Sequence, residues 1–249
     1  MTTRVPNAGR LLREWRQRRR LSQLELASRA GVSARHVSFV ENGRSRPTFG
    51  MILRLCEQLE VPLREQNRVL LSAGFAPAHP EHDLADPAMS QVSAAIETIL
   101  TAHLPNPALV IDQGWDLVAA NDAVYALLDG VAPELLEPPV NVIRLSLHPD
   151  GLAPRIVNLA QWRAELLRRV GREHQLSGDP RLAALLDEFG GASVDSDQPP
   201  ALVVPLRLRH GDGELAFASL TTVFGTPREV TLSELAIEAF YPLRSIHDP

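Results

Sequence analysis

Two short helices separated by a single glycine turn are encoded within residues 21–43, and this pattern constrains the fold more than any other feature of the chain. Ser22 is a favoured N-cap, and Glu25, three residues later, completes a capping box. Gly31 is placed to end this helix in a left-handed C-cap, and Ser33 caps the next helix, which Asn42-Gly43 ends. Two capped helices joined by so short a turn form a helix-turn-helix, in which the second helix can enter the major groove of DNA.

Three further helices are predicted around this pair, giving an all-α head of five helices over residues 1–75. One precedes the pair, a fourth begins at Pro47-Thr48, and a fifth runs from Leu63 to Ala73 between Pro62 and Gly74. The apolar faces of the first and fourth helices are predicted to be formed by Leu11, Leu12, Trp15, Ile52, Leu55, Cys56 and Leu59.

The charge of the chain is divided between its two parts. All 25 basic residues are arginine. Residues 1–80 hold 14 Arg against 6 Glu, a balance of +8, whereas residues 81–249 hold 11 Arg against 24 acidic residues, a balance of -13. A basic head on an acidic body is typical of a nucleic-acid-binding module carried by another domain. The absence of lysine excludes a P-loop lysine and Schiff-base catalysis.

A domain boundary is predicted where this charge changes sign. Two prolines and small residues cluster there, so we expect a linker at 76–84 and a second domain over 85–249. The single cysteine, Cys56, cannot form an intrachain disulfide, which favours a reducing, cytoplasmic location. No apolar run reaches the roughly 18 residues of a membrane-spanning helix, and no secretory signal is recognisable.

The second domain mixes helix and strand patterns. Two short strands, 108–112 and 115–120, precede helices that begin at Asn121, Pro154 and Asp179-Pro180. After a loop at 190–200, residues 202–209 alternate strictly, a hairpin loop follows at 210–213, and the return strand covers 214–224. Residues 234–241 alternate again and are predicted as a strand, with a helix as the alternative. This order predicts an α+β domain with an antiparallel five-stranded sheet and helices on one face.

Residues 8–74 resemble the Xre or lambda-repressor-like family. The resemblance is carried by Leu21-Ser-Gln, a Leu-Ala pair, Gly31-Val-Ser and Glu41-Asn-Gly-Arg. It implies that Gln23 and Ser33 contact the DNA backbone, that Ala34, Arg35 and Phe39 lie at base-reading positions, and that Asn42 and Arg44 hold the next phosphates. From the pattern alone, the exposed face of the second helix also includes Ser38 and part of His36. Arg16, with Arg18, Arg19 and Arg20, is either a phosphate contact or part of a solvated face.

Residues 90–245 resemble the ligand-binding domain of MmyB-like transcription regulators, which has a PAS-like fold. The resemblance is carried by segments at 107–112, 115–121, 141–145, 224–227 and 230–235, and by the helix of Trp162. It implies a small hydrophobic ligand, a fatty acid among the candidates, held between sheet and helices. Large side chains that can converge there either line a site or simply fill the core. They are Trp115, Tyr125, Leu128, Trp162, Phe217 and Phe224.

No catalytic arrangement is recognisable. Gly-x-Ser-x-Gly and His-Glu-x-x-His are both missing, and prolines interrupt the only closely spaced histidines, His79 and His82. We therefore expect no enzyme, no metal and no cofactor other than a bound apolar ligand. The sequence predicts a cytoplasmic, sequence-specific transcription regulator that binds operator DNA as a homodimer, away from any membrane. The alternative is a DNA-tethered interaction protein whose second domain dimerises or docks a partner without a ligand.

Overall fold

The computed structural model describes residues 7–190, 203–211 and 213–243. Contacts between Cα atoms divide the chain into two units. The first unit contains the residues up to His82 together with Pro227–Ser233, and the second contains Asp83–Thr226 and the residues from Glu234 onward. The chain therefore passes between the units three times, after His82, after Thr226 and after Ser233.

The first unit contains five α-helices within the described N-terminal residues, as the sequence predicts. The capping box is present: Ser22 Oγ accepts from the Glu25 N–H at 3.1 Å, and the Glu25 carboxylate accepts from the Ser22 N–H at 2.7 Å. Gly31 ends the second helix with φ of 65°, a left-handed conformation that costs glycine little. The helices are α1 Ala8–Arg18, α2 Gln23–Ala30, α3 Ala34–Glu41, α4 Phe49–Gln58 and α5 Leu63–Ser72.

A single apolar core holds these helices together. Leu12, Leu26, Val37, Ile52 and Leu55 are almost completely excluded from solvent. Cys56 lies in the same core, where burial raises the pKa of its thiol to about 12. The thiol is therefore a core side chain at physiological pH, in agreement with its position on the predicted apolar face.

Part of the predicted linker is fixed to the first unit. The Asn67 carboxamide accepts from the backbone N–H groups of Ala78 and His79 at 2.9 and 3.0 Å and donates to the His79 carbonyl at 2.8 Å. The Glu229 carboxylate accepts from the His82 N–H at 2.7 Å, and Thr231 Oγ1 donates to the His82 carbonyl at 2.7 Å. Residues 78–82 are thus hydrogen-bonded on both sides.

The second unit is built on an antiparallel sheet, which within the described residues has five strands in the order β2-β1-β5-β4-β3. This confirms the predicted PAS-like α+β fold. The strand predicted over 234–241 is present but begins after a short helix. The loop predicted at 190–200, apart from Gly190, lies outside the described residues. The strands are β1 Ala108–Ile111, β2 Leu117–Ala120, β3 Leu206–His210, β4 Gly213–Val223 and β5 Ala236–Pro242.

From Asp83 onward the described residues also form six α-helices and three short 3-10 turns. The 3-10 turns are Pro87–Met89, Pro133–Leu136 and Ala153–Arg155. None of the helices in the described chain is long and apolar enough to cross a membrane. The helices are α6 Ser90–Ala102, α7 Asp122–Tyr125, α8 Val142–Leu147, α9 Leu159–Ser177, α10 Pro180–Phe189 and α11 Val230–Glu234.

The sheet is covered on both faces, so the expectation of helices on one face only was wrong. Ala108 and Val110 of β1 pack in one cluster with Ile96 and Leu100 of α6. Leu109 and Ile111, which point the opposite way, belong to the larger cluster that contains Trp162, Leu166 and Leu182 of α9 and α10. All four β1 residues are buried, which is the reason that this strand is uniformly apolar.

The helix predicted to begin at Pro154 begins at Leu159 instead. Pro154 lies in a 3-10 turn, and Ile156 forms an isolated bridge with Leu208 of β3. Asn158 donates to the Pro205 carbonyl at 2.8 Å and accepts from the Arg207 N–H at 3.2 Å. Residues 156–158 are therefore held against the strand, and the helix starts only after them.

Candidate DNA interface and ligand cavity

Helix α3 presents one polar and cationic face to solvent. Ser33 Oγ caps it by accepting from the His36 N–H at 3.1 Å, while Val37 and Val40 are buried. The remaining surface carries exposed Arg35 and half-buried Phe39, whose ring lies 5.2 Å from the Arg35 guanidinium. Arg35 and Phe39 are about one helical turn apart, and their stacking places a positive charge over an aromatic ring on this face of the helix. Ala34, His36 and Ser38 are half-buried beside it, and Asn42 and Arg44 are exposed just beyond the helix.

Arg16 does not belong to this surface. Its Nε and Nη2 donate to the two Glu41 carboxylate oxygens at 2.6 and 2.9 Å, and Nη1 donates to the Leu21 carbonyl at 2.7 Å. Both side chains are buried, and hydrogen bonding to Glu41 raises the pKa of Arg16. We therefore withdraw Arg16 from the predicted phosphate contacts, because its guanidinium joins α1 to the end of α3.

Gln23 takes part in the same network. Its Nε2 donates to Glu41 Oε2 at 2.8 Å, so α2 is tied to α3 through the same carboxylate. The amide nitrogen has a second N–H, and the side chain is half-buried at the first turn of α2. A phosphate contact by Gln23 is compatible with this geometry and stays a prediction.

Two other arginines of the basic cluster pack on Trp15. The guanidinium groups of Arg18 and Arg19 lie 5.5 and 5.3 Å from its ring. Arg19 also donates to the carbonyls of Leu59 and Glu60 at 2.8 Å each, which satisfies acceptors at the end of α4. Arg19 thus has a structural role that its sequence position did not reveal.

A cavity lies within the second unit, between the sheet and helices α7 to α9. Its volume is about 70 Å³. The lining is almost entirely apolar. It is formed by Pro107, Leu109, Trp115, Leu117, Val124, Leu127, Leu128, Val142, Leu145, Ser146, Leu152, Trp162, Leu166, Arg169, Leu206, Phe217, Glu238 and Phe240.

Four of the six large side chains proposed for a ligand site converge on this cavity, namely Trp115, Leu128, Trp162 and Phe217. The other two do not line it. Tyr125 is 54% exposed, because it is in the last turn of the short helix α7 and points outward. Phe224 packs instead against the cluster of α6 on the opposite face of the sheet.

The tryptophan N–H groups of the cavity wall are satisfied by the protein. Trp162 Nε1 donates to Ser146 Oγ at 2.9 Å, and Trp115 Nε1 donates to Glu173 Oε2 at 2.6 Å. Burial raises the pKa of Glu173. A ligand would therefore meet the apolar rings of these residues rather than unpaired donors.

Arg169 of α9 and Glu238 of β5 form an ion pair in the cavity wall. Neither residue was predicted from the sequence. Residues Trp162, Leu166 and Arg169 follow one stripe of α9, which is a signal that could have placed Arg169 toward the sheet. Glu238 alternates with Ile237, whose cluster includes α6, so Glu238 lies on the opposite face of the strand, which is the cavity face.

No group of three or more His, Cys, Asp or Glu side chains is placed to hold a metal ion within the part of the chain that the structure describes. In the described residues, the features that point to a function are the exposed face of α3 and the apolar cavity. A helix-turn-helix joined to a domain with an apolar cavity is typical of a DNA-binding transcription regulator with a ligand-binding domain.

Comparison with protein families agrees with this class. Residues 12–66 match the helix-turn-helix family model, and residues 92–245 match that of the MmyB-like transcription regulator ligand binding domain. The chain belongs to the family of MmyB-like transcription regulators. Both resemblances noted in the sequence are thus confirmed. A search among curated proteins found no match.

Proposed function

We propose that the chain is a cytoplasmic, sequence-specific regulator that reads operator DNA with α3 and is not an enzyme. The observation that carries this proposal is the stacking of exposed Arg35 on half-buried Phe39 in a capped helix of a helix-turn-helix. Arg35 reads guanine, and the Phe39 ring contacts a thymine methyl. Ala34 and Ser38 line the same face, with His36 at its edge.

Backbone contacts fix the position of this helix on the duplex. Ser33 and Gln23 lie at the N-termini of α3 and α2, where backbone N–H groups and the helix dipole favour a phosphate. Asn42 and Arg44 follow the end of α3 and are both exposed. These four residues carry no sequence information and set the register in which Arg35 and Phe39 meet base pairs.

A homodimer is part of this proposal. One recognition helix covers only a few base pairs, and a second, one helical turn of DNA away, multiplies affinity and specificity. The operator is therefore an inverted repeat with half-sites separated by about one turn of DNA.

The cavity of the second unit binds a small apolar molecule. Its lining is apolar and its volume is about 70 Å³, which suits a short alkyl chain or a compact ring. A ligand regulates DNA binding only to the extent that it binds the DNA-competent and incompetent states with different affinity. The competing function, a ligand-free dimerisation or docking module, is disfavoured by this cavity.

The DNA-reading proposal is tested with Arg35→Ala. An operator is first selected from random duplexes with the full chain, and affinities are then measured for all single base-pair variants. Arg35→Ala is expected to cost about 1–3 kcal/mol and to relax discrimination at one position of each half-site.

The matched control is Arg172→Ala, which removes an exposed arginine from α9 of the second unit. It should leave the affinity and the base preferences unchanged. A uniform loss across all operator variants in Arg35→Ala would make Arg35 a phosphate contact, and no loss at all would remove α3 from the interface.

A further inference from the structure

The cavity has one charged wall in an otherwise apolar lining. Of the described residues that line it, Arg169 and Glu238 carry the charges, and Ser146 is the remaining polar side chain. Ser146 already accepts from Trp162 Nε1. A polar ligand group that lies against the side chains of the cavity wall therefore meets Arg169 and Glu238.

These two groups neutralise each other. Their side chains are 16% and 4% exposed, and the Arg169 Nη2 donates both to Glu238 Oε1 and, at 2.9 Å, to Thr221 Oγ1. Nη1 donates to Glu238 Oε2 at 3.3 Å, and Thr221 Oγ1 donates to Glu238 Oε1 at 2.7 Å. The guanidinium also lies 4.8 Å from the centre of the Trp115 ring. Neither charge needs a counter-charge from a ligand.

We propose that the ligand of this cavity is a short amphiphile with an uncharged hydrogen-bonding head, such as a hydroxyl or an amide, which contacts the Arg169–Glu238 pair. This inference rests on the proposed ligand-binding function of the cavity. The apolar part of the ligand occupies the space between Trp115, Trp162 and Phe217.

A carboxylate head is disfavoured by its surroundings. It would have to lose its hydration in an apolar cavity beside the Glu238 carboxylate, while the guanidinium that could compensate it is already occupied. Glu173 lies one turn beyond Arg169 on α9 and places a second acidic group near the same wall. The negative charge of an ionised fatty acid therefore does not suit this site.

An ammonium head is disfavoured for the complementary reason, because it would be buried beside the Arg169 guanidinium. A neutral head loses much less hydration and still finds partners. The described contacts of Arg169 use Nη1 and Nη2, so its Nε–H is available to a neutral acceptor. Glu238 retains lone pairs for a neutral donor.

The test compares three probes that share an eight-carbon chain and differ only in the head: 1-octanol, octanoate and octylammonium. Binding of each to the full-length chain is measured by isothermal titration calorimetry at neutral pH. We expect 1-octanol to bind at least about tenfold more tightly than either charged probe. Octanoate or octylammonium binding as tightly as 1-octanol would overturn the inference and leave the cavity a ligand site.

A charge-removing variant sharpens the comparison. Glu238→Gln keeps the shape of the side chain but releases the guanidinium from its counter-charge, so octanoate should gain at least about tenfold in affinity. The matched control is Glu188→Gln, which removes the same charge from an exposed pair with Arg144 outside the cavity lining. It should leave the order of the three probes unchanged, and an equal gain for octanoate in both variants would contradict the role of Glu238.

The possible results distinguish the neutral-head inference from the ligand-binding function on which it rests. If none of the three probes binds the wild-type chain, the ligand-binding function of the cavity itself is overturned. If Glu238→Gln does not fold, the ranking of the probes on the wild-type chain decides the inference alone.

Discussion

Glu173 holds its carboxyl group in a site that opposes ionisation. Burial is the main reason that its pKa is raised, and the Trp115 indole N–H and the charge of Arg169 only partly offset it. When the pKa of an acid is higher in the folded protein than in the unfolded chain, the folded protein becomes less stable as pH rises above the unfolded pKa. The reason is that the unfolded chain ionises first. The pH range over which stability is lost therefore begins at about 4.5, the ordinary pKa of this carboxyl group, and ends at its raised pKa in the folded protein.

Glu173→Gln is expected to remove this penalty. The free energy of unfolding, measured by urea titration at several pH values, should favour the variant increasingly as pH rises above about 4.5. The difference should be smallest at lower pH, where the carboxyl group is protonated in both states. Glu165→Gln on the same helix, which changes a carboxylate paired with Arg168 outside the cavity lining, is the control. A difference that does not vary with pH would show that Glu173 is solvated in the folded protein.

Single residues also mark the limit of what the sequence could reveal. Serine caps, the glycine turn and the apolar stripes of the head follow from local rules and were predicted correctly. The burial of Arg16 was not, because its partner Glu41 is 25 residues away and only the packed helices bring them together. An arginine in a basic cluster looks the same in sequence whether it faces DNA or a buried carboxylate.

At the scale of elements, α1 and α3 approach each other at a point where only glycine fits. A Cβ atom at Gly9 would lie 2.1 Å from the Val40 carbonyl oxygen, which belongs to the backbone of the recognition helix. The close approach lets the Arg16–Glu41 ion pair form just beyond it.

Gly9→Ala should force the two helices apart and destabilise the chain by about 1–3 kcal/mol, measured by urea unfolding monitored by circular dichroism. Gly50→Ala is the matched control, because nothing lies within 4 Å of its Cβ position and the substitution should stabilise α4 by about 0.4–1 kcal/mol. Equal stability of the two variants would contradict the close approach of α1 and α3.

The sheet shows which element-level features were accessible to the sequence. Strict alternation located β3, the hairpin loop after it located β4, and the uniformly apolar β1 was recognised as a strand. The continuous apolar sequence of β1 also indicates that both faces of the sheet are buried, and so that helices cover the second face. This was not predicted. The cavity and its ion pair depend on residues from α9, β4 and β5 and could not be deduced from any one of them.

At the scale of the whole molecule, the basic first part and the acidic remainder predict a strong dependence of DNA binding on salt. If the arginines of a dimer neutralise about four phosphates, affinity for the operator should fall about a hundredfold between 50 and 200 mM salt. The measurement is a fluorescence-anisotropy titration of the full chain at several salt concentrations.

Removing one phosphate-binding side chain per protomer should reduce the slope of log affinity against log salt. Arg44→Ala is expected to reduce the slope by about one unit for each phosphate that is no longer neutralised. Arg172→Ala again serves as the control. A slope that is flat in the wild-type chain would argue against electrostatic binding of the duplex.

The hydrogen bonds around His82 have a practical consequence for cutting the chain. A fragment that stops at residue 75 lacks the three backbone groups of residues 78 and 79 that hydrogen-bond to Asn67. A fragment that stops at residue 82 lacks Glu229 and Thr231, which hydrogen-bond to the backbone of His82. The N-terminal unit is thus discontinuous in sequence and is completed by a stretch more than a hundred positions downstream. Truncation therefore yields an incomplete piece, and excising this unit requires grafting residues 227–233 onto it.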